Sequence, residues 1–343
     1  MRVADPHIKS EKQGALGLLT LDRPKALNAL THGMIGAITA SLTAWAADDS
    51  VKAVAIKGEG DRAFCSGGDI RAVQQAIVMG SNAGADLLRD EYRMNALIGA
   101  YPKPYIALLH GITMGGGAGV SIHGSHRLAD ASLMFAMPET GIGFIPDVGS
   151  SHFLSHLPDR LGLYLGLTGS SIGLGDAMAA GLVTHAVARS DFGAVIAALA
   201  GGQSVDKAVA PFARKAEPGP LAAHCRRIAT IFAGSSVEAI LERLDRDGSD
   251  FAIAAAQTMR TRSPTSLKLV FREIKEAEKL SLNQCLAMEF RLAVRVLSGH
   301  DFREGVRAAL VDKDRRPKWE PSSLAGVGDT GRFFAALDDN ELF

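Results

Sequence analysis

The sequence predicts an α/β fold in which short buried strands lead into glycine-rich loops and then into helices. Three observations carry that expectation. Apolar runs at residues 15–21, 51–56 and 105–109, with Thr20 and Lys52 as their only polar side chains, are near-continuous, as expected of strands covered on both faces. Loops dense in glycine follow two of these runs, at residues 58–68 and 111–119. Helical periodicity resumes after each loop, which is the alternation of layered α/β proteins.

Taken in order, the run at 15–21 ends at the turn residues Asp22 and Pro24. Thr31 then stands where an N-cap is expected, ahead of Met34, Ile35, Ile38, Leu42 and Trp45 at helical spacing. A strand at 51–56, a helical stretch over 70–100 and a strand at 105–109 come next. They are followed by a short helix at 118–123 and two short strands at 127–129 and 133–136. Beyond Val187 strand signals thin out and amphipathic helices dominate, including 237–259 and 280–297. The expected organisation is a core over 1–190 and a mainly helical region over 191–343, with 201–220 as the most loosely packed segment.

Composition excludes several classes. Lys+Arg 37 balances Asp+Glu 37, so no net basic field points to nucleic acid. Cys65, Cys225 and Cys285 are scattered, which supports neither a disulfide framework nor a metal site. Residues 1–13 carry scattered charges and no apolar run, and no stretch is apolar enough to span a bilayer. The expectation is a soluble cytoplasmic protein without membrane or nucleic-acid partners.

The chemistry-bearing residues fall in three loops. FCSGGD and GITMGGGAG each follow a buried strand and open a helix, where glycine allows close backbone approach and the first N–H groups lack partners. Two such N–H groups aimed at one carbonyl oxygen make an oxyanion hole; the bland alternative is a pair of tight turns. The third loop, MPETGIGFIPDVG, holds only two acids, Glu139 and Asp147. Apolar surroundings raise a carboxyl's pKa toward a value useful in acid/base work, and a carboxylate can also attack an acyl carbon directly. The alternative for Asp147 is an N-cap for a helix beginning near Val148. GSSIG at 169–173 matches the nucleophile-elbow pattern, but a helix rather than a strand precedes it. The run Gly115–Gly119 lacks the last glycine of a dinucleotide loop.

These same segments, with KPYIALLHGITMGGGAGVSIHG and FAMPETGIGFIPDVGSSHFL, resemble the enoyl-CoA hydratase/isomerase (crotonase) superfamily. In wording they are most similar to its 3-hydroxyisobutyryl-CoA hydrolase branch. The likeness continues through LGLYLGLTGSSIGLGDAMAAGLVTHAV and MEFRLAVRVLSGHDFREGVRAALVDKDRRPKW, so it covers nearly the whole chain. It implies a crotonase-like spiral of repeated strand-strand-helix units with a helical C-terminal part. It also implies an acyl-CoA substrate and no metal or redox cofactor, CoA being part of the substrate.

Carried over residue by residue, the likeness makes Gly68 and Gly116 the oxyanion-hole donors and Glu139 and Asp147 the catalytic carboxylates. Glu91 would line the substrate pocket, the competing reading being a solvated helix face, and Lys25 would contact a CoA phosphate. Hydratases of the superfamily usually place an acid three residues after the middle glycine of GGG; here that position is Gly119. The resemblance therefore implies hydrolysis of a short 3-hydroxyacyl-CoA, as in valine catabolism. An enoyl-CoA hydratase or isomerase and a non-catalytic acyl-CoA binder are the rivals. It allows either a homo-oligomer or a C-terminal region folded back on its own core.

Overall fold

The computed structural model describes residues 5–79 and 81–343, leaving aside the side chains of 76–78. Residues 1–4 of the charged N-terminal stretch, and residue 80 of the helical stretch expected over 70–100, lie outside the described residues. The chain forms two compact units, each assembled from three stretches: 1–69, 93–135 and 172–220 in the first, and 70–92, 136–171 and 221–343 in the second.

The first unit is organised by sheets. Its strands in chain order are β1 (Ile8–Gln13), β2 (Leu16–Leu21), β3 (Ala53–Gly58), β4 (Ala63–Cys65), β5 (Tyr105–Leu109), β6 (Ile112–Met114), β7 (His126–Ala129), β8 (Met134–Ala136), β9 (His185–Val187) and β10 (Ala213–Arg214). Among the described residues one sheet has seven strands in the order β1-β2-β3-β5-β7-β9-β10. Its interior pairs are parallel, while β1 and β10 join at the edges antiparallel.

Every residue of β2 and of β5 is buried, which is why both strands read as unbroken apolar runs. Leu16, Leu18, Ile106, Leu108 and Leu128 pack with Phe192, Val195 and Leu199 of the helix Phe192–Ala200. Each such side chain contributes about 1.5–3 kcal/mol by leaving water. Strand β1, IKSEKQ, buries only Ile8. Its charged outward residues gave no strand signal, and they protect the open edge from pairing with other chains.

A second, three-stranded sheet (β4-β6-β8) carries the two glycine loops. Strands β4 and β6 run parallel, so the loops that follow them, Ser66–Gly68 and Gly115–Gly116, leave from the same end of the sheet. They touch: a Cβ on Gly67, whose φ is +112°, would lie 3.3 Å from the Met114 carbonyl oxygen and 3.6 Å from the Gly116 nitrogen. Gly117, in the helix Gly116–Ile122, is tighter still, because a Cβ there would stand 2.3 Å from the Cys65 carbonyl oxygen. Glycine is required at 117 by contact between two backbones, not by turn geometry.

The second unit is mainly helical. The helices Val237–Asp247, Asp250–Arg260, Pro264–Ala277 and Leu282–Leu297 each begin at a serine, Ser236, Ser249, Ser263 and Ser281, whose side chain accepts a backbone N–H of the first turn; such a cap stabilises by about 1 kcal/mol. The single helix expected over 237–259 is two, because Gly248 ends the first with φ +64° and Ser249 starts the second. The stretch 70–100 also divides, into Ile70–Val78 and Ala83–Gly99.

Gly117→Ala should destabilise the protein by about 1–3 kcal/mol, the usual cost of forcing an atom into a packed interior. A lowered urea midpoint with an unchanged slope would report it, and a midpoint equal to wild type would contradict the close approach of Gly117 to Cys65.

Candidate active site

Each unit carries its own set of functional groups. In the first, no acceptor is found for the N–H of Gly68 or of Gly116 among the described residues. The backbone around Gly68 is held by its neighbours: Leu30 donates to the Gly67 carbonyl at 2.8 Å, and Asp69 donates to the Leu30 carbonyl at 2.8 Å. A Cβ built on Gly68 meets nothing within 4 Å, so the space beside its Cα is open. The loops therefore present two fixed, unpaired donors, the local requirement for binding a developing anion. Lys25 is exposed on the short 3-10 turn Pro24–Ala26 and makes no ion pair among the described residues.

The second unit buries Glu91, Glu139, Asp147, Glu273 and Glu289. Glu91 and Tyr92 lie on the helix Ala83–Gly99, and Glu139 opens the 3-10 helix Glu139–Ile142 behind Pro138. Asp147 stands in the turn before the helix Ser150–Ser155. Glu273 and Glu289 come from the helices Pro264–Ala277 and Leu282–Leu297. Glu139 and Asp147 keep 8% and 6% of their surface, whereas Glu273 and Glu289 keep none. The first two still reach solvent; the other two are internal.

Burial raises the pKa of all five carboxyls by penalising the charged form. The charge of Asp147 raises Glu139 and Glu91 further. Asp147 is partly relieved, since the Tyr92 hydroxyl donates to its Oδ2 at 2.7 Å and favours its ionised form. Among the described residues Glu139 Oε2 and Glu91 Oε1 have no hydrogen-bond partner, and neither oxygen of Glu273 has one. Glu289, although pushed up to about 8 by desolvation, accepts three hydrogen bonds: from the Gly149 N–H at 2.6 Å, the Ser151 N–H at 2.9 Å and the Ser151 hydroxyl at 2.6 Å.

Several expectations are thereby settled. The side chain of Asp147 is not the cap of the following helix; Glu289, more than a hundred residues away in sequence, fills that role. Glu91 is buried, so the solvated-face alternative does not hold. The GSSIG match follows the helix Leu161–Thr168, with Gly169 in a left-handed C-terminal position, and is not a nucleophile elbow. Tyr92, Glu273 and Glu289 were not anticipated. A signal for the two glutamates existed: each lies on an apolar helical stripe, Glu273 with Leu269, Val270 and Ala277, and Glu289 with Cys285, Leu286, Leu292 and Ala293. An acid on such a stripe cannot be solvated in the folded protein.

The profile of the family described as enoyl-CoA hydratase/isomerase matches residues 16–332. A mitochondrial 3-hydroxyisobutyryl-CoA hydrolase from Xenopus tropicalis is 45% identical over 99% of this chain and 91% of its own. Its counterpart from Danio rerio is 44% identical over 99% and 92%. A crystal structure of a carnitinyl-CoA dehydratase from Mycobacterium thermoresistibile superposes with a TM-score of 0.94 at 39% identity, over 99% of both chains. The two hydrolases are mitochondrial by name, which overturns the cytoplasmic expectation. That expectation rested on the charge of residues 1–13, and the lack of an apolar run there does not specify a compartment.

The raised carboxyls fix the sign of the pH dependence of stability. Glu289 binds its proton more tightly folded, at about 8, than at the ordinary glutamate value of 4.5. Its contribution is therefore fully present below about pH 4.5 and lost as pH rises through about 8, at up to ~1.4 kcal/mol per pH unit for one group. The urea midpoint should fall between pH 5 and 8, and should fall less in Glu273→Gln, which removes a second internal titrating group. A midpoint that rises over this window would contradict the buried-carboxyl cluster.

Proposed function

The chain belongs to the enoyl-CoA hydratase/isomerase family, and on that premise we propose that it hydrolyses a short 3-hydroxyacyl-CoA thioester, 3-hydroxyisobutyryl-CoA foremost, to the hydroxy acid and CoA. The observation that carries this reading is the pairing of Glu139 and Asp147, two buried acids that still reach solvent, with the charge of Asp147 raising the cost of ionising Glu139. Such a pair holds one proton between them near neutral pH, leaving one carboxylate to act as base. Names of relatives at 45% and 44% identity support the same activity.

In the proposed reaction the thioester carbonyl takes up negative charge as an oxygen adds to its carbon. The N–H groups of Gly68 and Gly116 are assigned to that oxygen, and removal of one such donor typically costs ~3–4 kcal/mol of barrier. Glu139 removes the proton of the attacking water, or attacks the acyl carbon itself to give an anhydride that water then opens. Collapse of the tetrahedral intermediate breaks the C–S bond, and the departing thiolate takes the proton held by the carboxyl pair. Asp147, oriented by Tyr92, is assigned to the acyl hydroxyl or the water, Glu91 to the pocket wall and Lys25 to a CoA phosphate. No metal or redox group enters these steps. A homo-oligomer remains part of the proposal, tested by the mass of the protein in solution.

Hydration is the second reading, favoured by the name of the carnitinyl-CoA dehydratase neighbour. Against it stands Gly119, buried in the helix Gly116–Ile122, which offers no acid for a reaction expected to use two. Separate incubation with 3-hydroxyisobutyryl-CoA and crotonyl-CoA decides between them: free thiol should appear only from the first. Loss of enoyl absorbance from crotonyl-CoA without thiol release would overturn the hydrolase. Glu139→Gln should lower kcat by at least ~10²-fold while CoA binding, read by calorimetry, stays within error.

A further inference from the structure

We propose that Glu289 is a positioning residue for Asp147, setting the turn from which that carboxyl projects; the inference rests on the hydrolase reading above. Val148, next to Asp147, has φ +58°, a left-handed conformation that β-branched residues avoid. Gly149 follows with φ +82°. Two consecutive left-handed residues do not persist on local preference alone; something in the surrounding structure must hold them.

Within the turn, the Ser150 N–H donates to the Asp147 carbonyl at 2.9 Å, which closes the loop but leaves Gly149 and Ser151 without acceptors of their own. Both donate to Glu289, Gly149 to Oε2 and Ser151 to Oε1, and the Ser151 hydroxyl adds a third bond. One carboxylate thus spans the two N–H groups that flank Ser150, with an oxygen on each. The side chain is fully buried, so no water competes for those donors.

The same helix supports the other partner of Asp147. Phe290 packs edge-on against the Tyr92 ring, with centroids 6.1 Å apart, and Tyr92 donates to Asp147. Residues 289 and 290 therefore fix, respectively, the backbone that carries Asp147 and the phenol that orients its carboxyl. If Glu289 were only a helix cap, its loss would lower stability and leave turnover per folded molecule unchanged. A positioning residue lowers kcat, because displacing a catalytic group by about 1 Å can cost ~10²-fold.

Glu289→Gln is nearly isosteric but places an NH2 against one of the two backbone donors. It should lower kcat for 3-hydroxyisobutyryl-CoA by ~10–100-fold with KM changed less than ~3-fold, measured on protein whose folding is verified by its thermal transition. Ser151→Ala removes the hydroxyl bond to Oε1, along with the hydroxyl's contact with the Cys285 thiol, and should give a smaller fall in kcat of the same kind. Wild-type kcat in folded Glu289→Gln overturns the inference. If Glu289→Gln does not fold, Ser151→Ala decides: reduced kcat supports the inference, and unchanged kcat overturns it. Failure of the underlying hydrolase reading is seen separately, as absence of thiol release by the wild-type protein.

Discussion

Taking a carboxylate out of water costs several kcal/mol unless donors or a proton replace the lost hydration, and the second unit does this repeatedly within one cluster. Both remedies are in use, and Glu289, which burial pushes up to about 8 despite its donors, draws on both. Asp147 has the Tyr92 hydroxyl, and Glu289 has two backbone N–H groups and a hydroxyl. Among the described residues Glu273 has no partner on either oxygen, and Glu91 and Glu139 each leave one oxygen unpaired. For Glu91 and Glu273 the proton is the remedy, and Glu139 draws on one shared with Asp147, consistent with the upward pull on all three. A cluster solved partly by donors and partly by protons holds movable protons at neutral pH, which is what acid/base chemistry requires.

Backbone approach is the corresponding constraint in the first unit. Parallel pairing of β4 with β6 brings two loops off one sheet end. The contact of Gly117 with the Cys65 carbonyl then leaves no room for a side chain. What the loops gain is N–H groups at Gly68 and Gly116 that have no acceptor among the described residues, the donors proposed above for the oxyanion. Donors that are already in place need no reorganisation when charge develops, and most of the worth of an oxyanion hole lies there.

Much of this was legible in the sequence because the signals were local. The strands β2, β3 and β5 announced themselves as apolar runs, Thr31 as the cap of the helix His32–Ala46, and the glycine loops and the Glu139/Asp147 loop as compositional breaks. What stayed hidden was long-range or counter to pattern. Strand β1 is amphipathic in neither sense and exists because β2 offers it an edge. Glu289 caps a helix some 140 positions earlier in the chain, a pairing no local rule contains. Tyr92 gains its role only when the turn of Asp147 comes within reach of its hydroxyl.

Fold does not decide between hydrolysis and hydration: a dehydratase structure superposes with a TM-score of 0.94, and one scaffold serves both chemistries. The decision falls to a few side chains. Adding water across a double bond means delivering a hydroxyl to one carbon and a proton to its neighbour, a task suited to two acids on separate supports. With glycine at 119 one of those supports is bare. Thioester hydrolysis asks instead for one carboxylate that takes a proton from water and gives it back to sulfur, with a neighbour to hold the charge state in balance. Glu139 and Asp147 sit in one loop of one unit, and the charge of Asp147 raises the cost of ionising Glu139. That arrangement suits a single proton passing out and back.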